Sequence, residues 1–342
     1  MQEKASNVPD VSVIIPVYNV APYIRECAES LFNQTLQNIE YIFIDDASTD
    51  DSIKILEEVI TEYPKRKDNI KLKRHNENKG VSISRQEGLS IATGNWVIYC
   101  DADDFIDRNA YQLLVQTAID NNSDIVVVGY TEFDNNGNSR KNIYKKETKT
   151  NIDFLESITG ASKPCLHGAL WNKLIKREIC NNITFPSNIS YCEDVAFFIQ
   201  LLTLQNNLKI NIIPSSLYSY RKRQNSLITL HGEKRINEIL DLILFIERWK
   251  EVSNKHFHRG LNSKIIDLLY RLFEISFPNK EYSQQFNDYR FLIYQNRRLN
   301  FMQKLFLRLA LSNHHLMAKN VKNTNNRLKS VIKFFRSMKN QL

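Results

Sequence analysis

The first 130 residues alternate between strand-like apolar runs and amphipathic helical patterns, and this alternation limits the folds open to the chain. Residues 11–17 form a β-branched run, and residues 21–34 carry apolar side chains at helical spacing; residues 39–44 and 51–63 repeat the pair. Repeated strand–helix units with short connections predict an α/β fold, in which helices flank a mostly parallel sheet. Sheets of this kind bind ligands at the carboxyl ends of their strands.

The pattern changes near residue 230. Downstream the sequence is helical almost throughout, with breaks near Gly260 and Pro278, so we predict two domains, residues 1–230 and 231–342. Charge divides at the same place, because residues 1–230 contain 25 Lys and Arg against 29 Asp and Glu, whereas residues 231–342 contain 21 against 9. The net charge of +8 therefore comes from the helical end, which suits an anionic partner.

Several classes of protein are disfavoured by the same sequence. No apolar run approaches the ~18–20 residues that a membrane-spanning helix needs. The first ten residues lack the basic start and apolar stretch of a secretory signal. Five cysteines without a Cys-x-x-Cys pair predict reduced thiols, and no nucleic-acid-binding motif is recognised. We therefore expect a cytoplasmic protein that does not bind nucleic acid.

Carboxylates collect where two of the predicted strands end. Asp45 and Asp46 follow the second strand, and Asp101, Asp103 and Asp104 follow a later apolar run. Adjacent carboxylates repel one another unless a cation or a donor-rich group lies between them. Mg²⁺ or Mn²⁺ with a nucleotide diphosphate meets that need, since these ions take oxygen ligands from one or two carboxylates and from phosphates. The alternative is that these Asp residues form turns and helix N-caps.

Four motifs in order carry a resemblance to a known family. They are Pro16-Val-Tyr-Asn19, Asp45-Asp-Ala-Ser-Thr-Asp50, Asn78-Lys-Gly-Val-Ser-Ile-Ser-Arg85 and Asp101-Ala-Asp-Asp104. With this set the sequence resembles the family-2 inverting glycosyltransferases, which use nucleotide-sugar donors on a GT-A (Rossmann-like) fold. The resemblance covers roughly residues 11–133 and continues more weakly to about residue 226, through Trp171-Asn-Lys-Leu174, Glu193-Asp194 and Tyr220-Arg221.

The resemblance implies roles for the matched positions. Asp103 would hold the metal that bridges the diphosphate, with Asp101 and Asp104 supporting it. Glu193 and Asp194 correspond to the family's catalytic acidic motif, in which Asp194 would be the base. The implied donor-binding residues are Pro16, Tyr18, Asn19, Asp45, Asp46, Ser48, Lys79, Gly80, Arg85, Asp101, Ala102 and Arg221.

Two positions depart from the family pattern. Ala47 stands where the family often has Gly, and Gln86 follows Arg85 where Asn is common. Neither change removes a charged ligand. We therefore expect loop shape and donor preference, rather than activity, to differ from the family pattern.

Some of these assignments have structural alternatives. Glu193 and Asp194 open an apolar helical pattern, where acidic residues stabilise the first turn of a helix. Arg221 begins a run of three basic residues that suits phosphate oxygens, and equally suits a solvated strand end. Trp171 is suited to stacking on a sugar ring and, more commonly for Trp, to packing in a core.

The basic end of the chain predicts a second kind of contact. Residues 299–311 and 326–339 place apolar side chains on one side of a helix, with Lys and Arg between them. No Asp or Glu occurs between residues 289 and 342. This favours binding to anionic lipid at the inner face of the cytoplasmic membrane over packing on the catalytic body or on a second copy of the chain. A homo-oligomer stays open.

These observations predict an inverting glycosyltransferase that moves one sugar from a nucleotide diphosphate donor to a glycan or lipid-linked acceptor of cell-surface polysaccharide. UDP is the expected nucleotide by family habit. A general base would take the proton of the acceptor hydroxyl, and a metal would neutralise the diphosphate.

Two alternative functions stay open at this point. One is a sugar-phosphate nucleotidyltransferase, which is disfavoured because no Gly-rich loop follows the first strand. The other is a non-catalytic nucleotide-sugar-binding scaffold protein, which the intact Asp101, Asp103, Asp104 and Asp194 disfavour.

Overall fold

A computed structural model describes residues 8–134, 137–223 and 232–326. The chain divides into two compact units. The first unit comprises Met1–Phe154 and His167–Leu230, and the second comprises Leu155–Leu166 and His231–Leu342. The short segment Leu155–Leu166 thus belongs with the C-terminal part of the chain, an arrangement that the sequence pattern does not predict.

The first unit is built on a ten-stranded sheet. Its strands are β1 (Val11–Val17), β2 (Ile39–Asp45), β3 (Ile70–Arg74), β4 (Trp96–Tyr99), β5 (Phe105–Ile106), β6 (Ile125–Phe133), β7 (Ser139–Asn142), β8 (Glu147–Lys149), β9 (Lys173–Lys176) and β10 (Ile210–Arg221). Their order is β3-β2-β1-β4-β9-β6-β10-β5, with β7 beside β6 and β8 beside β10. Strands β1 to β4 pair in parallel, as do β6 and β10. The sheet is mixed beyond β4, because β9 runs antiparallel to both β4 and β6.

Helices flank both faces of this sheet. They are α1 (Ala21–Phe32), α2 (Ser52–Glu62), α3 (Val81–Ile91), α4 (Ala110–Asp120), α6 (Glu193–Leu204) and α5 (Asn151–Thr159), which continues into the second unit. Val11, Val13 and Ile15 of β1 share one buried cluster with apolar residues of α1, α2 and α4. A Cβ on Gly88 of α3 would clash with the side chain of Ile14. Because successive strand residues point to opposite faces, α3 covers the face to which Ile14 points.

Strand β10 is longer than the sequence predicts. The pattern predicts a strand that ends at Pro214 and a separate strand-like piece at residues 217–220, but β10 continues through Pro214 to Arg221. Its register against β6 shifts between Ile213 and Ser216. Proline has no N–H to donate, so it is tolerated where the ladder is already irregular. The longer strand carries Arg221 to the edge of the sheet where the strand-end carboxylates lie.

The second unit is helical over the residues that the structure describes. Its helices are α7 (Glu233–Val252), α8 (His258–Ser276), α9 (Lys280–Gln285) and α10 (Phe301–Leu311), and residues 315–326 are also helical. The break predicted near Gly260 lies a few residues upstream, between the end of α7 at Val252 and the start of α8 at His258, and Gly260 itself is buried inside α8. A Cβ on Gly260 would lie 3.1 Å from Leu155 Cγ, so the glycine allows close packing there. Pro278 does separate α8 from α9.

The two predicted basic helices differ in what can be described of them. Residues 326–339 lie outside the described residues, except for Asn326. Within residues 299–311, α10 begins after an Asn300–Gln303 capping box and buries Phe306 and Leu307. Its apolar side therefore packs within the second unit. None of the helices in the described ranges is both long and apolar enough to cross a bilayer.

Candidate active site

Hydrogen bonds connect the turns that follow β1 and β2. The Asn19 Oδ1 accepts the N–H of Thr49 at 2.9 Å, and the Asn19 N–H donates to Ser48 Oγ at 3.2 Å. The Ser48 N–H in turn donates to Asp45 Oδ1 at 2.9 Å. Tyr18 is 46% exposed next to Asn19. Four of the predicted donor-binding residues therefore share one rim of the sheet.

The turn after β2 contains a residue with left-handed backbone. Ala47 has a φ of +61°. An L-residue with a Cβ is destabilised in this region by about 1–2 kcal/mol, whereas glycine is not. The family that the sequence resembles often has Gly here, and the backbone explains that preference. Pro16, another predicted donor-binding residue, is partly buried one residue before the end of β1 and lies opposite Ile44 of β2.

Asp46 holds the loop that contains Lys79 and Gly80. Its carboxylate accepts the N–H of Lys79 at 2.7 Å and the N–H of Gly80 at 2.8 Å. His75 Nδ1 lies 2.7 Å from Asp46 Oδ1, and His75 Nε2 contacts the carboxylate of Glu87. His75 was missed at the level of sequence, although it directly follows β3, the parallel neighbour of β2. The Asp46 carboxylate is therefore occupied by hydrogen bonds that position the predicted donor-binding loop.

Arg85 joins two groups of carboxylates. Its Nη2 lies 2.9 Å from Asp101 Oδ1, and its Nη1 contacts Glu193. The Arg85 side chain is only 7% exposed. Burial lowers the pKa of Arg85, but the carboxylates of Glu193, Asp101 and Asp194 raise it more, so the guanidinium stays charged. Arg85 therefore connects the end of β4 with the first turn of α6.

Glu193 and Asp194 form the first turn of α6. They follow Cys192, whose φ of +58° is left-handed. Burial raises the pKa of Glu193 to about 7; Arg85 opposes this shift, and the Asp194 carboxylate adds to it. Asp194 is partly exposed, and its Oδ1 accepts the N–H of Val195 at 2.7 Å. Glu193 and Asp194 therefore lie in the first turn of a helix, and Glu193 also contacts Arg85.

Asp104 is tied to strand β10. Its Oδ2 accepts the Tyr218 hydroxyl at 2.8 Å, and its Oδ1 accepts the N–H of Arg221 at 2.7 Å. The Tyr218 oxygen also accepts the N–H of Asp101 at 3.1 Å. Burial raises the pKa of Asp104 well above its usual value, and the carboxylates of Asp103 and Asp101 add to the shift. Both Asp104 oxygens are therefore engaged in holding the loop after β4.

Asp103 faces a guanidinium instead. Arg223 Nε lies 2.5 Å from Asp103 Oδ2, and the Asp103 side chain is 14% exposed. Burial raises the pKa of Asp103 to about 6; Asp101 adds to this shift and Arg223 opposes it. Ala102, which is buried, separates the two carboxylates along the chain.

The carboxylate of Asp103 is a donor of the type that fits a divalent cation, since Mg²⁺ and similar ions prefer oxygen ligands. Arg223 pairs with this carboxylate in the structure, so a bound cation would have to take the place of that contact. Among the residues that the structure describes, no three His, Cys, Asp or Glu side chains converge to hold a metal by themselves. Phosphate oxygens would have to complete the coordination, as is common for Mg²⁺.

Aromatic side chains support the β10 side of the site. Trp171 is 3% exposed and stacks on Tyr218 with ring centroids 4.3 Å apart and on Tyr220 at 5.5 Å. Trp171 therefore packs in the core, which was the alternative to sugar stacking. The Arg221 guanidinium lies 4.8 Å from the Phe105 ring centroid and pairs with the Glu26 carboxylate, so it is positioned by contacts on both sides.

Lys173 was missed at the level of sequence, although it belongs to the Trp171-Asn-Lys-Leu174 motif. It is fully buried, and its Nζ donates to His167 O at 2.8 Å, to Ala169 O at 2.5 Å and to Asn172 Oδ1 at 2.6 Å. Burial lowers the pKa of Lys173 to about 7, while the Asp194 carboxylate opposes the shift. Lys173 thus fixes the loop before β9 and lies close enough to Asp194 to interact with it.

Comparison with known proteins places these motifs in a family. Residues 12–186 match the family described as Glycosyl transferase family 2. The chain is 30% identical over 240 residues to "Uncharacterized glycosyltransferase EpsJ" of Bacillus subtilis (strain 168), an alignment that covers 68% of this chain and 67% of that protein.

Two solved structures are similar over almost the whole chain. Residues 1–349 of S. aureus TarS in complex with UDP-GlcNAc superpose with a TM-score of 0.67 at 19% identity, covering 93% of this chain and 92% of that chain. The mannosyltransferase PcManGT of Pyrobaculum calidifontis, in complex with GDP-Man and Mn²⁺, gives 0.57 at 17%, covering 91% and 88%.

These comparisons settle the fold and the class of enzyme. The structural neighbours confirm the predicted GT-A fold with a helical C-terminal region. The family match favours a glycosyltransferase over the nucleotidyltransferase and scaffold alternatives. The chain therefore belongs to glycosyl transferase family 2 and is a glycosyltransferase.

Proposed function

We propose that the chain transfers a sugar, with inversion, from a UDP-linked donor to a hydroxyl group of a glycan or lipid-linked acceptor in cell-surface polysaccharide biosynthesis. The bridge made by Arg85 carries the proposal. Arg85 contacts Asp101 in the motif after β4 and Glu193 beside Asp194. The proposed donor side and the proposed base therefore belong to one charged cluster, as in-line displacement requires.

Asp194 is the proposed general base. It is partly exposed, so an acceptor hydroxyl can reach it, whereas Glu193 is buried against Arg85. Loss of the hydroxyl proton in the transition state makes the oxygen a better nucleophile. Glu193 and Arg85 hold the first turn of α6, and therefore Asp194, in place. Neither needs to form a bond to the sugar, because inversion proceeds in one displacement.

Asp103 is the proposed metal ligand, with Asp101 next to it in support. The chemistry that Mn²⁺ or Mg²⁺ supplies when bound is neutralisation of the charge on the departing diphosphate. Arg223, which pairs with Asp103 in this structure, and Arg221 are the proposed donors to phosphate oxygens, because guanidinium groups match phosphate geometry. Asp104 has both oxygens occupied by β10, so we assign it to support of the loop.

The nucleotide would lie at the rim formed by β1, β2 and the Lys79 loop. The proposed lining residues are Pro16, Tyr18, Asn19, Asp45, Asp46, Ser48, Lys79, Gly80 and Ala102. The nucleotide-sugar complexes of TarS and PcManGT support a donor of this class, and the Mn²⁺ of PcManGT supports a divalent metal. The choice of UDP follows TarS, the neighbour with the higher TM-score of the two.

The proposed location is peripheral, on the cytoplasmic face of the membrane. The excess of Lys and Arg in residues 289–342 supports it, since such segments are attracted to anionic lipid. Removal of residues 327–342 should then reduce cosedimentation with phosphatidylglycerol vesicles. Equal cosedimentation of the shortened and full chains would contradict this location.

Nucleotide release tests the enzymatic proposal. With Mn²⁺ and an acceptor extract, the protein should release UDP from one of UDP-glucose, UDP-galactose and UDP-GlcNAc, and it should release no GDP from GDP-mannose. Asp194→Asn should lower the rate at least about 100-fold, the lower end of the range for losing a positioned base. Asp103→Asn should lower it by at least about 100-fold as well, because the stabilisation that a bound metal gives to the departing diphosphate is weakened. Asp68→Asn, at an exposed position away from the site, is the matched control.

The product completes the test. NMR of the linkage should show the anomeric configuration opposite to that of the donor. A retained configuration, or unchanged rates in both site variants, would refute the proposed mechanism.

A further inference from the structure

The second unit contains a basic cleft that the proposed sugar transfer does not use. It is lined by Ala161, Ser162, Lys163, Arg259, Arg297, Leu299 and Lys304. Its volume is about 460 Å³, which is within the range of pockets for small ligands. Four of its seven lining residues are Lys or Arg, and none is Asp or Glu. The cleft therefore presents positive charge from several directions.

Hydrogen bonds hold the walls of this basic cleft in place. The Asn296 side chain accepts the N–H of Arg298 at 2.9 Å and donates to Ser263 O at 2.9 Å. Arg298 Nη2 donates to Ile158 O at 2.6 Å and to Leu166 O at 2.9 Å. Arg298 thus ties residues 155–166 to the turn before α10. The Arg298 guanidinium therefore holds these two segments together, whereas Arg297 lines the cleft.

A glycine allows this close approach of the two segments. Gly160 has a φ of +82°, and its carbonyl accepts the N–H of Arg297 at 2.5 Å. A Cβ on Gly160 would lie 2.6 Å from Arg298 Cγ. The backbone hydrogen bond fixes Arg297 at the edge of the cleft without engaging its side chain. The capping box at Asn300 then starts α10, which carries Lys304.

Among the described residues, a carboxylate balances one of the four cleft cations. This cation is Arg259, whose Nη1 lies 3.3 Å from Glu156 Oε2 and whose Nη2 donates to Ala161 O at 3.2 Å. Over the described ranges, no carboxylate lies within salt-bridge distance of Lys163, Arg297 or Lys304. Burial lowers the pKa of Lys304, and the charges of Arg297 and Lys163 lower it further. These cations therefore repel one another, and an anion among them would turn that repulsion into attraction.

We propose that the basic cleft binds a phosphate or diphosphate group, either free in solution or carried on a lipid headgroup. Arginine and lysine donors match phosphate oxygens, and the Ser162 hydroxyl adds a neutral donor. Ala161 and Leu299 give the cleft an apolar part that suits the carbon chain of an ester. The lining comes from three stretches of the second unit, so only the folded unit assembles this site. The proposal stands on these charges and does not depend on the proposed sugar transfer.

Calorimetric titration of the full chain with inorganic pyrophosphate tests the site. EDTA is included, so that metal-assisted binding at Asp103 does not contribute. We expect saturable binding that is at least tenfold weaker in the double variant Arg297→Gln/Lys304→Gln. The matched control is Lys280→Gln/Lys319→Gln, which removes two exposed charges of the same unit and should change the affinity less than twofold. Equal affinities in all three proteins, or no saturation, would overturn the proposal.

Two further measurements make the result unambiguous. Lys163→Gln changes an exposed side chain, so it keeps the fold even if the double variant does not, and it should weaken pyrophosphate binding about threefold. Phosphatidylglycerol vesicles, compared with phosphatidylcholine vesicles, identify the source of the phosphate. Binding lost only in the cleft variant assigns a lipid headgroup. Equal vesicle binding by all variants, with weaker pyrophosphate binding in the cleft variant, assigns a free phosphate.

Discussion

The candidate active site of the first unit and the basic cleft of the second unit differ in whether their cationic side chains are paired with carboxylates. In the active site, Arg85 is buried between Asp101 and Glu193. In the basic cleft, Arg297 and Lys304 have no carboxylate partner among the described residues. A buried charge without a partner is destabilising by several kcal/mol, so burial demands pairing. Charges that water still reaches can stay unpaired, and they remain available to a ligand.

Removal of a buried partner should have the largest effect. Arg85→Met leaves two carboxylates without their cation, and the free energy of unfolding should fall by about 3–5 kcal/mol in urea titrations. The matched variant is Arg25→Met. Arg25 also faces carboxylates, with Glu62 Oε1 at 2.9 Å, but its side chain is 42% exposed. Its loss should shift the urea midpoint far less, because solvent screens the pairs. Similar shifts in both variants would break the comparison.

The Tyr218 hydroxyl provides a smaller test of whether a buried charged group needs its partner. Tyr218→Phe removes the donor to Asp104 and should cost about 1–3 kcal/mol of stability, since a buried carboxylate oxygen loses its partner. Tyr111→Phe is the control, because its buried hydroxyl has no hydrogen-bond partner in the described part of the chain. That change should be neutral or stabilising in thermal unfolding. A larger loss from Tyr111→Phe than from Tyr218→Phe would show that packing, rather than pairing, dominates.

Backbone conformation provides a comparison that does not involve charge. Ala47 in the first unit and Gly160 in the second both have left-handed φ values, of +61° and +82°. Gly160→Ala should destabilise the protein by about 1–2 kcal/mol or more, since it adds a clash with Arg298 to the backbone strain. Ala47→Gly should stabilise it by about 0.5–1 kcal/mol. Ala92→Gly, at a φ of −67°, is the control and should be destabilising. Equal signs for the first two changes would contradict the assignment.

The smallest effect is expected in the cleft. Without an anion, Lys304→Gln removes repulsion and no ion pair, so stability should change by less than about 0.5 kcal/mol or rise slightly. Added pyrophosphate should then raise the thermal midpoint of the parent protein more than that of the variant. A clear loss of stability in the variant without anion would mean that Lys304 has a structural partner.

Elements whose limits depend on local chemistry were predictable from the sequence. Helix α6 begins at Glu193 and ends at Leu204, as the acidic first turn and the apolar spacing predict. The helices do break a few residues before Gly260, but the role of this glycine was not predictable, because it packs against Leu155, far earlier in the chain. Pro214 was misjudged as a strand end because its place at a register shift depends on the pairing of β10 with β6.

The candidate site also combines features that were predictable from the sequence with features that were not. The residue types of the motifs after β4 and at the start of α6 were recognisable, because Asp-Ala-Asp-Asp and Glu-Asp are local. Their partners were not, since Tyr218 follows Asp104 by 114 positions and Arg85 precedes Glu193 by 108. His75 is a single histidine in a polar stretch, and only the pairing of β3 with β2 brings it to Asp46.

The sequence by itself determined the family, the alternation of strands and helices, and the uneven distribution of charge between the two parts of the chain. These properties depend on residue type and on short spacings. Only the tertiary structure decided which charges are neutralised and which are left for a ligand. The reason is physical: a charge interacts according to distance and burial, and both are set by chain segments that are remote in sequence.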